Sequence, residues 1–309
     1  MDNDNAKTTQ GNALLDALPL SALILVIALS WLGFPGIANS DGEIPPLERV
    51  HVTSAEQLES VFTQAGYFWP ASAVPPLTVQ RFPDDLAETP ADTKKSLFFR
   101  ALLPLVLAEN ERIAGQRHQL HLALGENLPE QRRANIIRRL AAEYDVEGEP
   151  LAPETWQTLA RRVNTVPVSL ALAQAAKESG WGTSRFVREG NNLFGEWTWT
   201  ASAGIKPEDR PEGATHYVQA FDTLRDSVRS YLNNLNTHAA YERFRTLRHR
   251  ARGAGREMTP MEMTAGLVNY SERRWAYVEE VREMIVSNQL HQVVDGAALA
   301  REPSRIAFR

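Results

Sequence analysis

Apolar positions at helical spacing run through most of the chain and predict a largely helical protein. Leu97, Leu102, Leu105, Ile113 and Leu120 mark one long helix from Asp92 to about Leu124, with Pro104 expected to kink it. Ahead of it, Thr53 followed by Glu56 makes a capping-box pattern and predicts a short helix to about Gln64. From Pro70 to Pro90 the prolines recur and no apolar period holds, so that stretch is expected to be extended or irregular. Further helices are expected at about 130–142 and 153–163, the second entered through Pro153. The run from Val166 to Gly182 reads as a helix begun at Pro167, filled by Ala and Leu, and stopped by Gly180 and Gly182.

Past Gly195 the pattern changes. Glu196-Trp197-Thr198-Trp199-Thr200 and His216 to Phe221 are aromatic and β-branched, with Gly204, Pro207, Pro211 and Gly213 between them. A small β-hairpin or irregular insertion between helices is predicted. Asp222 is placed to cap a helix running to about Asn236, and Ala239 to His249 predicts another. Thr259-Pro260-Met261-Glu262 combines a cap, a first-position proline and a capping-box Glu, so a helix starts there. Ser271 restarts a last helix that ends near Leu290, and no repeat of fixed period is visible.

The run from Leu18 to Phe34 is almost wholly apolar, at the short end for a membrane-spanning helix and long for a signal-peptide core. Its flank carries one Lys against Asp2, Asp4 and Asp16, and Ile37-Ala38-Asn39-Ser40 offers no strong cleavage signal. An uncleaved anchor is therefore expected, with the rest of the chain outside the cytoplasmic membrane. The expected organisation is a tail and anchor or signal segment over 1–38, a linker and N-terminal helical region over 39–150, a main domain over 151–295, and a tail over 296–309. Asp41-Gly42 and Pro45-Pro46 break the linker.

Composition narrows the chemistry. A hydrophobic content of 43% supports a packed core, and 33 Lys plus Arg against 38 Asp plus Glu give a net charge of −5, so nucleic acid is not an expected partner. No cysteine is present, which removes disulfides, thiolate metal sites and a cysteine nucleophile together. His118 and His121 stand three apart on the long helix without Cys, Asp or Glu at ligand spacing; they are expected to be solvated helix histidines, and neither a metal nor another cofactor is expected. Arg243, Arg245, Arg248, Arg250 and Arg252 form a basic run expected to be a solvated helix face.

Glu178 stands in the last turn of the Val166 to Gly182 helix. The negative end of the helix dipole disfavours an ionised carboxylate there, so partial burial would raise its pKa and suit it to general acid catalysis.

Three motifs in order, Ala-Gln-Ala-Ala-Lys-Glu-Ser-Gly-Trp-Gly at 173–182, Asn-Asn-Leu-Phe-Gly at 191–195 and Leu-Asn-Thr-His-Ala-Ala-Tyr at 235–241, resemble the Bax-type bacterial glucosaminidases of glycoside hydrolase family seventy-three. A weaker resemblance runs through Lys95-Ser96-Leu97-Phe98-Phe99 and Leu102 to Glu111. The resemblance implies a mainly α, lysozyme-like helical domain with the small β insertion, plus the N-terminal helical region. It also implies cleavage of the β-1,4 bond after N-acetylglucosamine in peptidoglycan glycan strands of the cell envelope, with Glu178 as the acid. The second catalytic group would come from the loop holding Glu196, Glu208, Asp209 and Glu212. Glu212, then Glu208, is the expected choice, with the substrate's own acetamido group as the alternative. Some related domains carry an acid before the tyrosine matching Tyr231, where this chain has Ser230. Trp181, Asn192, Trp197, Tyr231 and Tyr241 are the expected sugar contacts, since sugar faces stack on aromatic rings while amides fix hydroxyls. Lytic transglycosylases and muramidases also use one glutamate at a helix end, and an inert glycan-binding envelope scaffold is the remaining alternative.

Overall fold

The computed structural model describes residues 46–71, 73–125, 127–208, 210 and 213–301. The apolar run from Leu18 to Phe34 lies outside them, and among the described residues no helix is long and apolar enough to cross a membrane. The architecture is the expected mainly helical, lysozyme-like one with a small β insertion.

The helix Ala91–Leu124 is the axis of the molecule. From Leu97 to Glu109 every residue is buried, so this stretch has no solvent face and other elements surround it, as a helix apolar all round requires. It runs unbroken through Pro104. The helices Val168–Ser179 and Leu224–Thr237 pack against it, Ala55–Gln64 lies near its start, and Glu130–Glu143 and Pro153–Arg162 lie against its end. One core joins Phe62, Phe98 and Leu102 of the N-terminal region to Leu172, Tyr231 and Val281 of the later helices. A smaller core of Leu120, Ile137, Leu140, Tyr144 and Leu159 closes the far end.

Short parallel strands tie the N-terminal region down. Glu48–Val50, inside the expected linker, pairs with Leu77–Val79, and Ala73–Val74 pairs with Ala298–Leu299. The stretch expected to be irregular from Pro70 to Pro90 thus holds two strands, followed by a 3₁₀ turn at Asp84–Glu88. The insertion is a three-stranded antiparallel sheet in which Trp197–Thr198 and Gly204–Ile205 flank Tyr217–Gln219.

Caps moved by one residue from their expected places for local reasons. Ser54 caps the helix by accepting from the Gln57 N–H, and the Gln57 side chain reaches past the cap to the Thr53 N–H, so Thr53 and Glu56 do not form the expected capping box. Thr223 caps its helix by accepting from the Asp226 N–H, while the neighbouring Asp222 carbonyl is held by Asn191. The Thr259 to Glu262 capping box forms as expected, although its helix, Pro260–Met263, passes at once into a 3₁₀ turn. The last helix begins at Trp275, stops at Ser287 and restarts over Leu290–Val293.

Two polar readings are corrected. Arg245 and Arg248 are buried, because their guanidinium groups satisfy backbone carbonyls: Arg245 reaches Leu235 and His238, and Arg248 reaches Arg161, Asn164 and Thr165. His121 is half-buried rather than solvated, and burial, reinforced by Arg117, pushes its imidazole down to about 4.

Candidate active site

The helix Val168–Ser179 ends at Gly180, whose left-handed backbone (φ 57°) returns its N–H to the Ala176 carbonyl. Trp181 and Gly182 continue in positive φ, and the Ser179 hydroxyl locks the turn by accepting from the Gly182 N–H at 2.8 Å and donating to the Ala175 carbonyl. The chain is thereby turned sharply just past Glu178, which stands at the helix end. Glu178 is half-buried, and its Oε1 is buried with no hydrogen-bond partner. Burial raises its pKa; the Tyr277 hydroxyl and the Lys177 ammonium pull it back, and Glu280 adds to the rise. Lys177 is itself held by Glu280 at 2.5 Å, which ties up the nearest cation.

A buried chain of side chains leads to that carboxyl. Tyr231 donates to Gln174 Oε1 at 2.6 Å, and Gln174 Nε2 donates to the Tyr277 hydroxyl at 2.8 Å. Gln174 and Glu178 are one helical turn apart, so the helix that carries Glu178 also carries the group that orients Tyr277. Tyr231 stacks on Phe194 with ring centres 3.8 Å apart, and Tyr277 stacks on Tyr270, which donates to the Phe194 carbonyl and lies against Tyr241. Burial pushes the phenols of Tyr231, Tyr270 and Tyr277 well up and that of Tyr241 up to about 12, so all four stay neutral.

The loop 191–196 forms the other side. Asn191 takes a left-handed conformation and ties the loop to the Phe221 and Asp222 carbonyls. Asn192 is 2% exposed, donates to the Glu196 and Gln219 carbonyls and accepts from the Phe194 and Glu196 N–H groups. Glu196 leaves this loop with its carboxyl turned inward. Ser230 donates to its Oε2 at 2.8 Å, its Oε1 is buried without a partner, and burial pushes its pKa up to about 7. Both Glu178 and Glu196 act electrostatically on Tyr231 and Tyr241, raising the pKa of each phenol further.

The expected contacts separate accordingly. Tyr231, at 1% exposed, is held in the interior by Gln174 and Phe194, and Asn192 bonds to the loop backbone. Trp181 is half-buried, edge-on to Phe98 and Phe99 and beneath Lys95, which makes it a seam between the acid's helix and the N-terminal region. Trp197 is largely exposed, with His216 stacked against it, and Tyr241 is almost buried beside Tyr270. Glu208 is an exposed loop residue near Arg185, and Glu212 lies outside the described residues. Gln174, Tyr270 and Tyr277 were not singled out in the sequence; Gln174 was marked only by lying in the 173–182 motif, four residues before Glu178.

A family model described as mannosyl-glycoprotein endo-beta-N-acetylglucosaminidase matches residues 153–290. Protein bax of Escherichia coli (strain K12) is 32% identical over 209 residues, 66% of this chain and 74% of that protein. The chain belongs to the Bax-type glucosaminidases. No solved structure matches it. A Bax-type glucosaminidase is a glycoside hydrolase, and in this one Glu178 and Glu196, each with a buried carboxyl oxygen that has no partner among the described residues, lie within the matched segment.

Proposed function

We propose that the protein hydrolyses the β-1,4 bond after N-acetylglucosamine in peptidoglycan, with Glu178 as the general acid. The observation that carries this reading is a carboxyl at a helix end whose burial raises its pKa and whose Oε1 has no protein partner. Such a group keeps a proton to higher pH than an ordinary carboxylate and can deliver it to the leaving glycosidic oxygen. Family membership supports the choice of bond. The apolar run from Leu18 to Phe34 supports placement in the bacterial envelope, anchored in the inner membrane and facing the periplasm.

The test is digestion of purified peptidoglycan, borohydride reduction, and mass analysis of the new ends. Glucosaminitol ends are expected. Muramitol ends would reassign the enzyme as a muramidase, anhydromuramic ends as a lytic transglycosylase, and binding without cleavage as an inert scaffold. Glu178→Gln removes the proton but keeps the shape, and is expected to lower the rate by about two to four orders of magnitude with the fold intact. Near wild-type activity in that variant would remove Glu178 from the chemistry.

A further inference from the structure

We propose that Glu196 is the second catalytic carboxyl of this site, the base that takes a proton from the water attacking the anomeric carbon; this rests on the reading of Glu178 as the acid. The assignment begins with the backbone. Asn192 grips residue 196 from both sides, accepting from its N–H at 3.1 Å and donating to its carbonyl at 2.9 Å, and the Gln219 N–H donates to the same carbonyl at 2.8 Å. Glu196 stands just before the strand Trp197–Thr198, where the loop enters the sheet. The clamp fixes where the side chain leaves the loop, and Ser230 then fixes one carboxyl oxygen. The other oxygen is buried and unpaired.

Glu109 shows how this fold handles a carboxylate kept for structure. It is fully buried, yet Arg112, Arg225 and Arg229 pair with it at 2.8, 2.6 and 3.2 Å, and against the cost of burial Arg229 and Arg112 hold its pKa down. Among the described residues no cation pairs with Glu196, and burial raises its pKa against the pull of the Ser230 hydrogen bond. A buried carboxyl oxygen left without a partner costs stability, and packing offers nothing in return. Among the described residues a raised carboxyl with a buried, unpaired oxygen recurs at Glu178, and both groups act electrostatically on Tyr231 and Tyr241. A group that titrates near neutrality is also the right strength to accept a proton from water and release it again.

The step balances without a further reagent. Glu178 gives its proton to the glycosidic oxygen as the C1–O bond breaks and the bonding pair stays on that oxygen. The attacking water forms the new C1–O bond and loses a proton to Glu196. Solvent returns that proton from Glu196 to Glu178, and one water is consumed per bond cut.

The experiment compares the full chain with Glu196→Gln, Glu196→Ala and Glu178→Gln on purified peptidoglycan, with folding followed by circular dichroism and binding by co-sedimentation. Glu196→Gln is expected to bind and fold normally and to lose about two to four orders of magnitude in rate. Azide, which needs no base, is expected to restore cleavage to Glu196→Ala and to appear as a glycosyl azide, whereas a merely structural role would not respond to it. A folded Glu196→Ala that azide leaves inactive overturns the proposal. So does a Glu196→Gln variant within about tenfold of the parent while Glu178→Gln is dead; in that case the glycosidase reading stands and only Glu196 is removed. A parent protein that cuts no glycan would instead sink the underlying reading of Glu178.

Discussion

Gln174 donates its side-chain N–H to the Tyr277 hydroxyl at 2.8 Å, one helical turn before Glu178. Because its other amide atom is taken by Tyr231, the amide cannot flip without breaking both bonds, and Tyr277 is left to present its proton to Glu178. That dipole stabilises the ionised acid. Tyr277→Phe is therefore expected to raise the Glu178 pKa and move the limb of the kcat/KM profile that reports Glu178 to higher pH. An unmoved limb in a folded variant would show that Tyr277 does not touch the acid. Gln174→Leu strands two buried phenols and is expected to cost about 2 kcal/mol or more, read as a drop in Tm.

Glu196 couples pH to stability. Its pKa is about 7 in the fold against an ordinary 4.5, so the folded state binds the proton more tightly than the unfolded chain. The stabilisation is fully present below pH 4.5, declines through the window from 4.5 to about 7, and is gone above it. At about 1.4 kcal/mol per pH unit the loss is at most about 3 kcal/mol. Glu196→Gln is always neutral and escapes that loss, so its Tm advantage over the parent should be larger at pH 8 than at pH 5. A difference that does not change with pH would contradict the burial of this carboxyl.

Gly182 joins the acid's helix to the N-terminal region. Its φ of +79° is strained for any L side chain, and a Cβ there would stand 2.8 Å from the Phe82 ring and 3.2 Å from Phe98. Those two rings belong to the same aromatic seam as Trp181. Gly182→Ala is expected to destabilise the protein by about 2 kcal/mol and to lower activity by shifting the turn behind Glu178. Thermal unfolding together with a rate assay checks both, and an unchanged Tm would show that the seam yields freely.

What could be read from the sequence was what short-range rules encode. The glycine stop after Glu178, the proline entry at Pro153 and the Thr259 box each depend on residues within four positions. Asn192 was legible as important but not in kind, since its partners Glu196 and Gln219 close a loop instead of meeting a ligand. Glu196 was one of four acids in its segment, and nothing nearby in sequence marked it. Its hydroxyl partner is 34 residues away. Tyr231 reads as an exposed motif aromatic until Phe194 and Gln174 are seen to enclose it.

Arg248 carries the same lesson into a test. The basic run around it suggests a solvated face, but its guanidinium is buried and donates to carbonyls at the end of the helix Pro153–Arg162 and in the turn after it. It also donates to the Asn236 side chain at 2.7 Å, and Asn236 returns to the Asn164 carbonyl. One planar fork thus fastens the start of the Glu178 segment to the helices 224–237 and 242–253. Removing it leaves several buried carbonyls unpaired at about 1–3 kcal/mol each, so Arg248→Met is expected to cost about 3 kcal/mol or more despite conserving apolar bulk. Arg248→Lys keeps the charge but has no fork with which to serve carbonyls in different directions, and it should recover little of that loss. Exposed Arg250 serves as the control, since Arg250→Met should change stability by less than about 0.5 kcal/mol. Chemical denaturation of the three variants decides the matter, and full rescue by Lys would mean that charge, not the shape of the fork, holds this joint.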